Sequence, residues 1–197
     1  MHSKVDSPLV LATIGIWLAL EVALVLRDRV RGKGARTNDL GTRRLIAAAS
    51  AASFALTGIV AGALRHHSTL WLPGVHGDGP LVLGLALMWA GLGLRVWAIA
   101  VLGGAFRTTV EVDAGQQLVE SGPYRMVRHP SYSGVLLIAV GYGVVSGVWP
   151  ALSIATIGPF VVVLRRILVE ERALINTMGG VYRAYQQRTK RLVPRLW

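Results

Sequence analysis

Five runs of this chain are apolar and long enough, as helices, to bridge a hydrocarbon layer: about 8–26, 45–64, 81–102, 134–149 and 151–169. A helix rises about 1.5 Å per residue, so about 20 such residues cross a core about 30 Å thick. Lipid offers no hydrogen bonds, so each backbone N–H and C=O in such a run must be satisfied within its own helix. The expected fold class is therefore all-α and integral to a membrane, with about five transmembrane helices. Composition agrees: 53% of the 197 residues are apolar, 16% are charged and the mean hydropathy is +0.51. A soluble domain carries about 25% charged residues, so disorder is excluded and a water-soluble globule disfavoured. The chain has no cysteine, which removes disulfides, thiolate metal sites and thiol nucleophiles.

The last two runs are short and separated only by Pro150, so they read as a tight hairpin broken at that proline, and Pro159 is expected to kink the final helix. The first run resembles a secretory leader, but its basic cluster follows the apolar stretch and no small-residue cleavage pattern ends it, so it reads as a retained helix. No repeat and no linker divides the chain, and residues 1–197 read as one membrane domain.

The net charge of +11 follows the membrane pattern. Lys and Arg number seven in the 27–44 loop, three in 103–133 and eight in 165–197, against Lys4 and Arg65 on the opposite side. By the positive-inside rule the N-terminus is expected outside and the C-terminus in the cytosol. The loop RDRVRGKGARTNDLGTRR has no interleaved aromatics and reads as a solvated inner loop facing membrane lipids, not as a nucleic-acid arm. His66, His67 and His76 share an outer loop but lack a spaced carboxylate or helical register, so a polar loop is favoured and no metal is assigned.

Segment 103–133 is too long for a plain connector. TTVEV at 108–112 alternates like a short strand, DAGQ supplies turn residues and QLVE follows, which suggests a small hairpin. GPYRMVRHPSYSG then packs Tyr124, Arg125, Arg128, His129 and Tyr132 into nine residues where the chain returns to the membrane. An interfacial belt of Tyr and Arg explains that density by itself. Glu170 and Glu171 stand where the last helix leaves the membrane, and a hairpin brings them near His129. An Arg166–Glu170 pair along one helix is the plainer alternative. Neither plain reading explains why both clusters meet at one membrane depth.

The paired motifs GPYRMVRHPSYSG and EERALINTMGGVYRAYQQRTKRLVP, on either side of a hairpin and preceded by GGAFRTTV, resemble the isoprenylcysteine carboxyl methyltransferase family of integral-membrane enzymes and its phospholipid-methylating relatives. The likeness covers about Gly103 to Pro194. It implies a catalytic core at 103–197 behind three N-terminal helices in 1–102. It also implies S-adenosylmethionine as methyl donor in a cytosol-facing pocket beside the C-terminal helical hairpin. Arg128, His129, Pro130, Tyr132 and Gly134 occupy the RHPxYxG positions, Glu170 and Glu171 the acidic pair, and Tyr182 and Tyr185 the aromatic pair before RLVP.

On that basis His129, Pro130, Tyr132, Gly134, Tyr124, Glu170, Glu171, Tyr182 and Tyr185 are expected to bind the donor. The carboxylates suit its amino group or ribose, the rings its adenine, and the helix start its carboxylate, while Gly134 allows close backbone approach. Arg128 or Arg107 is expected to orient an anionic acceptor. Arg95, inside the third run, either orients the acceptor or pairs with Glu21 at a similar depth, with pairing slightly favoured. The acceptor's apolar tail is expected to arrive sideways from the bilayer, and the glycines of GLALMWAGLGLRVW permit close helix approach around such an opening. Two other readings stand beside this one. A membrane sterol or enone reductase using NADPH has similar HPxY and terminal proline patterns. A scaffold or small transporter would want midplane polar residues, of which only Glu21 and Arg95 are charged.

Overall fold

The computed structural model describes residues 4–30, 42–64, 66–72, 77–106 and 118–194. Six α-helices follow in order: α1 (Pro8–Val30), α2 (Thr42–Leu64), α3 (Gly79–Leu102), α4 (Pro130–Ser146), α5 (Trp149–Met178) and α6 (Gly180–Arg188). Four of them, α1, α2 from Leu45, α3 and α5, are long and apolar enough to cross a membrane, and α4 is a shorter apolar helix of 17 residues. Leu9, Leu11, Leu18, Val22 and Leu26 of α1 remain exposed, as lipid-facing side chains do. The expected strands at 108–112, Arg107, His76 and most of the basic 27–44 loop lie outside the described residues. His66 and His67 are exposed in a turn after α2.

Glycine spacing sets the closest helix contact. Gly84 and Gly91 of α3 are seven residues apart, as are Gly134 and Gly141 of α4, and the antiparallel helices meet at both pairs. A Cβ on Gly91 would lie 2.6 Å from the Gly134 carbonyl oxygen, and one on Gly141 would lie 2.6 Å from that of Gly84. The two backbones touch, which only glycine allows. Met88, Leu92, Ile138 and Val145 fill the seam around those contacts and join Val10 and Trp17 of α1 in one core. Trp17, Phe54 and Tyr142 form an aromatic row from α1 through α2 to α4, with ring centres 5.4 and 4.7 Å apart.

The hairpin between α4 and α5 breaks three residues earlier than the sequence suggested. Gly147 takes the left-handed conformation at φ +74°, ends α4 and donates its N–H to the Val144 carbonyl. Pro150 does not break a helix but lies in the first turn of α5. A first-turn N–H has no partner inside its helix, so proline costs nothing there. Pro159 lies within α5, which continues as helix to Met178. Gly179, at φ +57°, then turns the chain into α6. At the far end Leu72 N–H reaches the Gly147 carbonyl at 2.9 Å, and Lys4 pairs with Asp78 at 3.1 Å, so the starts of α1, α3 and α5 share one face. The start of α4 and the end of α3 share the other, where the candidate site forms.

Candidate functional site

The segment before α4 is shaped by Gly122 and Pro130. Gly122, at φ +56°, opens a short 3-10 turn through Arg125, and a Cβ there would lie 2.9 Å from Val101 of α3. Tyr124 is buried in that turn, with its hydroxyl 3.4 Å from the Ala98 carbonyl. Pro130, buried, starts α4, and the His129 carbonyl takes the N–H groups of Tyr132 and Ser133. Those donors at the helix start are therefore already used.

The C-terminal residues close over this segment. Arg128 N–H donates to the Lys190 carbonyl at 2.7 Å, His129 N–H to that of Arg191 at 3.0 Å, and Lys190 N–H to that of Met126 at 3.2 Å. Ser133 Oγ donates to the Leu192 carbonyl at 2.6 Å, and the Tyr185 hydroxyl to the Tyr124 carbonyl at 2.7 Å. Leu192 packs on Val163 and Ile167 of α5 beside Tyr132 and Leu136 of α4. These contacts clamp α6 and the residues after it onto the hairpin.

Glu171 is the electrostatic centre of the clamp. Arg128 Nε donates to its Oε1 at 2.9 Å, and Arg191 donates to Oε2 from Nε at 3.1 Å and Nη2 at 3.0 Å. Arg128 Nη1 also donates to the Gln186 carbonyl at 3.2 Å and to that of Thr189. Both Arg128 and Glu171 side chains are buried, at 8% and 5% exposure. Arg128 thereby holds four segments together, a structural task beside the acceptor-orienting role expected from sequence. Glu171 is equally engaged, with Arg128 on one oxygen and Arg191 on the other. The space beside Gly134 is filled by Gly91 and Arg95 of α3, so its missing side chain serves helix packing.

A different set of groups stays available. Glu170 is 32% exposed at its side chain and accepts the Tyr132 hydroxyl at 3.0 Å, while Arg166 Nε donates to that same hydroxyl at 3.1 Å. Arg166 and Glu170, paired in the sequence alternative, are thus also linked through Tyr132. The His129 ring lies between the two carboxylates, with Nδ1 4.0 Å from Glu170 and Nε2 3.4 Å from Glu171. It stacks on Tyr132 with ring centres 5.8 Å apart. Its Nε2 and the Tyr182 hydroxyl are both buried without an aligned hydrogen-bond partner. Buried polar atoms are nearly always satisfied, and of these two His129 Nε2 still lies against the Glu171 carboxylate. Burial, reinforced by the charge of Glu171, pushes the Tyr182 phenol well above its ordinary range. Burial does the same to Tyr124, aided by Glu170, and takes Tyr185 up to about 12.

Arg95 meets Glu21 through two hydrogen bonds, so the pairing favoured from sequence is present. Sequence reasoning assigned nothing to Arg191, Thr189 or Ser131. Their only signal was position, since Arg191 and Thr189 flank Lys190 beyond α6, where an extended strand can lie against the turn before α4.

The sequence model of the family described as phospholipid methyltransferase matches residues 80–180, from the start of α3 to the start of α6. The chain belongs to the phospholipid methyltransferase family. Protein-S-isoprenylcysteine O-methyltransferase B of Arabidopsis thaliana is 36% identical over 117 residues, which are 56% of this chain and 57% of that protein. A probable protein-S-isoprenylcysteine O-methyltransferase of Oryza sativa subsp. indica is 31% identical over 57% of this chain and 60% of its own length. The uncharacterized protein YpbQ of Bacillus subtilis is 31% identical over 81 residues, 41% of this chain and 48% of its own. The chain thus spans about half to three fifths of the curated relatives it matches. Among solved structures, the eukaryotic intramembrane Ras methyltransferase, isoprenylcysteine carboxyl methyltransferase, superposes with a TM-score of 0.61 at 22% identity. That match covers 98% of this chain and 70% of the other, and it shows a shared fold. With its long apolar helices, this phospholipid methyltransferase family protein is integral to a membrane. The family match takes in the hairpin with Arg128, His129, Tyr132, Glu170 and Glu171, while Tyr182, Tyr185 and Arg191 lie beyond it.

Proposed function

We propose that this protein is an S-adenosylmethionine-dependent methyltransferase that acts on the carboxylate of an isoprenylated cysteine or another lipophilic acceptor at the membrane interface. The observation that carries the reading is the cluster of Glu170, His129 and Tyr132 at the membrane boundary, with the buried Tyr182 hydroxyl unsatisfied within reach of the charge of Glu170 and Glu171. Relatives named as protein-S-isoprenylcysteine O-methyltransferases support it.

The residues suit the donor's chemistry. S-adenosylmethionine supplies an electrophilic methyl group on a sulfonium. Glu170, the more open carboxylate, would hold its ammonium group or ribose hydroxyls, and the Tyr182 hydroxyl and His129 Nε2 would bond polar atoms of the nucleoside. Arg128, Glu171, Arg191 and Tyr185 hold these groups in place. The catalytic core then comprises residues 103–197, with α3 as its packing partner, and the cluster faces the cytosol with the N-terminus outside, as the Lys and Arg asymmetry supports.

An acceptor carboxylate is ionised at neutral pH and needs no strong base. The protein's work is to position two reactants in line, which supplies about 7–11 kcal/mol of barrier lowering in favourable cases. Calorimetric titration of the detergent-purified chain with S-adenosylhomocysteine, against NADPH, tests the reading. Binding of S-adenosylhomocysteine alone supports it. Binding of NADPH alone moves the protein to the reductases, and binding of neither to folded protein returns the scaffold reading.

A further inference from the structure

A second polar constellation lies within the membrane-spanning helices, next to the candidate site. Arg95 of α3 sends Nε–H to Glu21 Oε1 at 2.5 Å and Nη2–H to Glu21 Oε2 at 2.7 Å, so both oxygens of an α1 carboxylate meet one edge of the guanidinium fork. Nη1 donates to Ser131 Oγ at 2.7 Å and to the Ser131 carbonyl at 3.3 Å. Ser131 sits between Pro130 and Tyr132, so Arg95 is anchored to the turn of α4 that carries the candidate donor site.

The two partners differ in access. Arg95 is 8% exposed at its side chain and Glu21 is 29% exposed, so the cation is fixed and the anion lies on the open side. Charges inside a span are costly, and this buried Arg is held by a carboxylate, a hydroxyl and a carbonyl. α1 has its own attachment below this point, where Arg27 Nη2 donates to the Phe106 carbonyl at 3.0 Å and the guanidinium stands 5.5 Å over the Phe106 ring.

We infer that the Arg95 fork is the receptor for the anionic end of the acceptor, and that Glu21 is its resident occupant, displaced when a lipophilic carboxylate binds. The inference rests on the methyltransferase reading above and assigns the residues that receive its acceptor. The two-oxygen, one-edge geometry of Glu21 is the one a ligand carboxylate adopts on arginine. Exchange keeps one carboxylate on Arg95 and exposes the charge of Glu21. A small acid brings nothing to offset that exposure, whereas a long apolar tail buries surface between helices as it binds. The pair therefore selects acids that carry a tail, and the fixed positive charge of Arg95 rejects a cationic amine headgroup.

The test uses the full chain in detergent, with and without S-adenosylhomocysteine, titrated with N-acetyl-S-farnesylcysteine, its carboxamide, and acetate. In the unaltered protein the farnesylated acid is expected to bind about tenfold or more tighter than the carboxamide, in line with one charge-assisted contact, and acetate to show no binding. Glu21→Gln removes the resident carboxylate, so the acid binds about tenfold tighter still while S-adenosylhomocysteine affinity is unchanged. Arg95→Gln erases the preference for acid over carboxamide. Glu21→Asp, which keeps the charge and shortens its reach, falls between the first two.

Equal binding of acid and carboxamide, binding of neither, or a Glu21→Gln protein that is folded but unchanged toward the acid overturns the inference. So does unfolding of both Glu21 variants, which would make Glu21 a structural counter-ion. Failure of S-adenosylhomocysteine to bind the unaltered protein counts against the methyltransferase reading alone, because the comparison of acid with carboxamide is read separately.

Discussion

Arg128 and Glu171 meet at 2.9 Å with both side chains buried, and through that bond the segment before α4 is tied to the far end of α5. Arg191 reaches the other oxygen of the same carboxylate, so three segments distant in sequence converge on one charge. The neighbouring Glu170 faces outward instead. Two adjacent carboxylates of identical chemistry thus carry different tasks, because a helix turns about 100° per residue and points one inward and the other to the rim.

Removing one partner of the clamp leaves the other charge buried and unpaired, which typically costs about 3–5 kcal/mol. Arg128→Met and Glu171→Gln are each expected to lower the thermal unfolding midpoint in detergent sharply. Arg128→Lys should recover little, since a single ammonium cannot span Glu171 and the two carbonyls that Arg128 holds. Midpoints unchanged in both variants would show that the clamp is not structural.

Glu170→Gln should behave differently. Its side chain is partly open and, among the described residues, it accepts a hydrogen bond from the Tyr132 hydroxyl, so stability should move little. Affinity for S-adenosylhomocysteine should fall about tenfold or more, the scale of a lost bond to a charged group. A variant that unfolds early yet binds normally when folded would reverse the assignments of Glu170 and Glu171.

Gly91→Ala and Gly134→Ala separate packing from ligand contact. Each added methyl would lie 2.6 Å from a carbonyl oxygen of the opposing helix, and overpacking of that kind costs about 1–3 kcal/mol. The two substitutions should lower the unfolding midpoint alike and leave S-adenosylhomocysteine affinity alike. A selective loss of affinity in Gly134→Ala alone would restore donor contact at that glycine.

Tyr185 carries a pH signature. Burial raises its phenol to about 12, and the protonated hydroxyl donates to the Tyr124 carbonyl. The folded state holds this proton more tightly than the unfolded chain, where the phenol titrates near 10. The contribution of Tyr185 is therefore complete below pH 10 and is lost as pH climbs from about 10 to about 12. In Tyr185→Phe the midpoint should be lower at neutral pH by the worth of one hydrogen bond, about 1 kcal/mol, and its alkaline decline should be shallower. Parallel alkaline curves for the two proteins would exclude that coupling.

The membrane character was legible at once, because lipid leaves a chain so few ways to satisfy its backbone and helix length follows directly from bilayer thickness. The approach of His129 to Glu170 and Glu171 was legible too, since a hairpin of two spans must return its ends to one depth. The break between α4 and α5 was misplaced because proline ends one helix and begins another equally well, and only the left-handed Gly147 decided which. That Gly134 packs on α3, that Arg128 serves the clamp, and that Glu170 and Glu171 part company were decided by tertiary contacts alone. Motif spacing records which residues are present in a site, but whether a charge is spent on a neighbouring segment or left open to a ligand depends on chain segments up to about 60 residues away arriving beside it, as Tyr185 arrives at Tyr124.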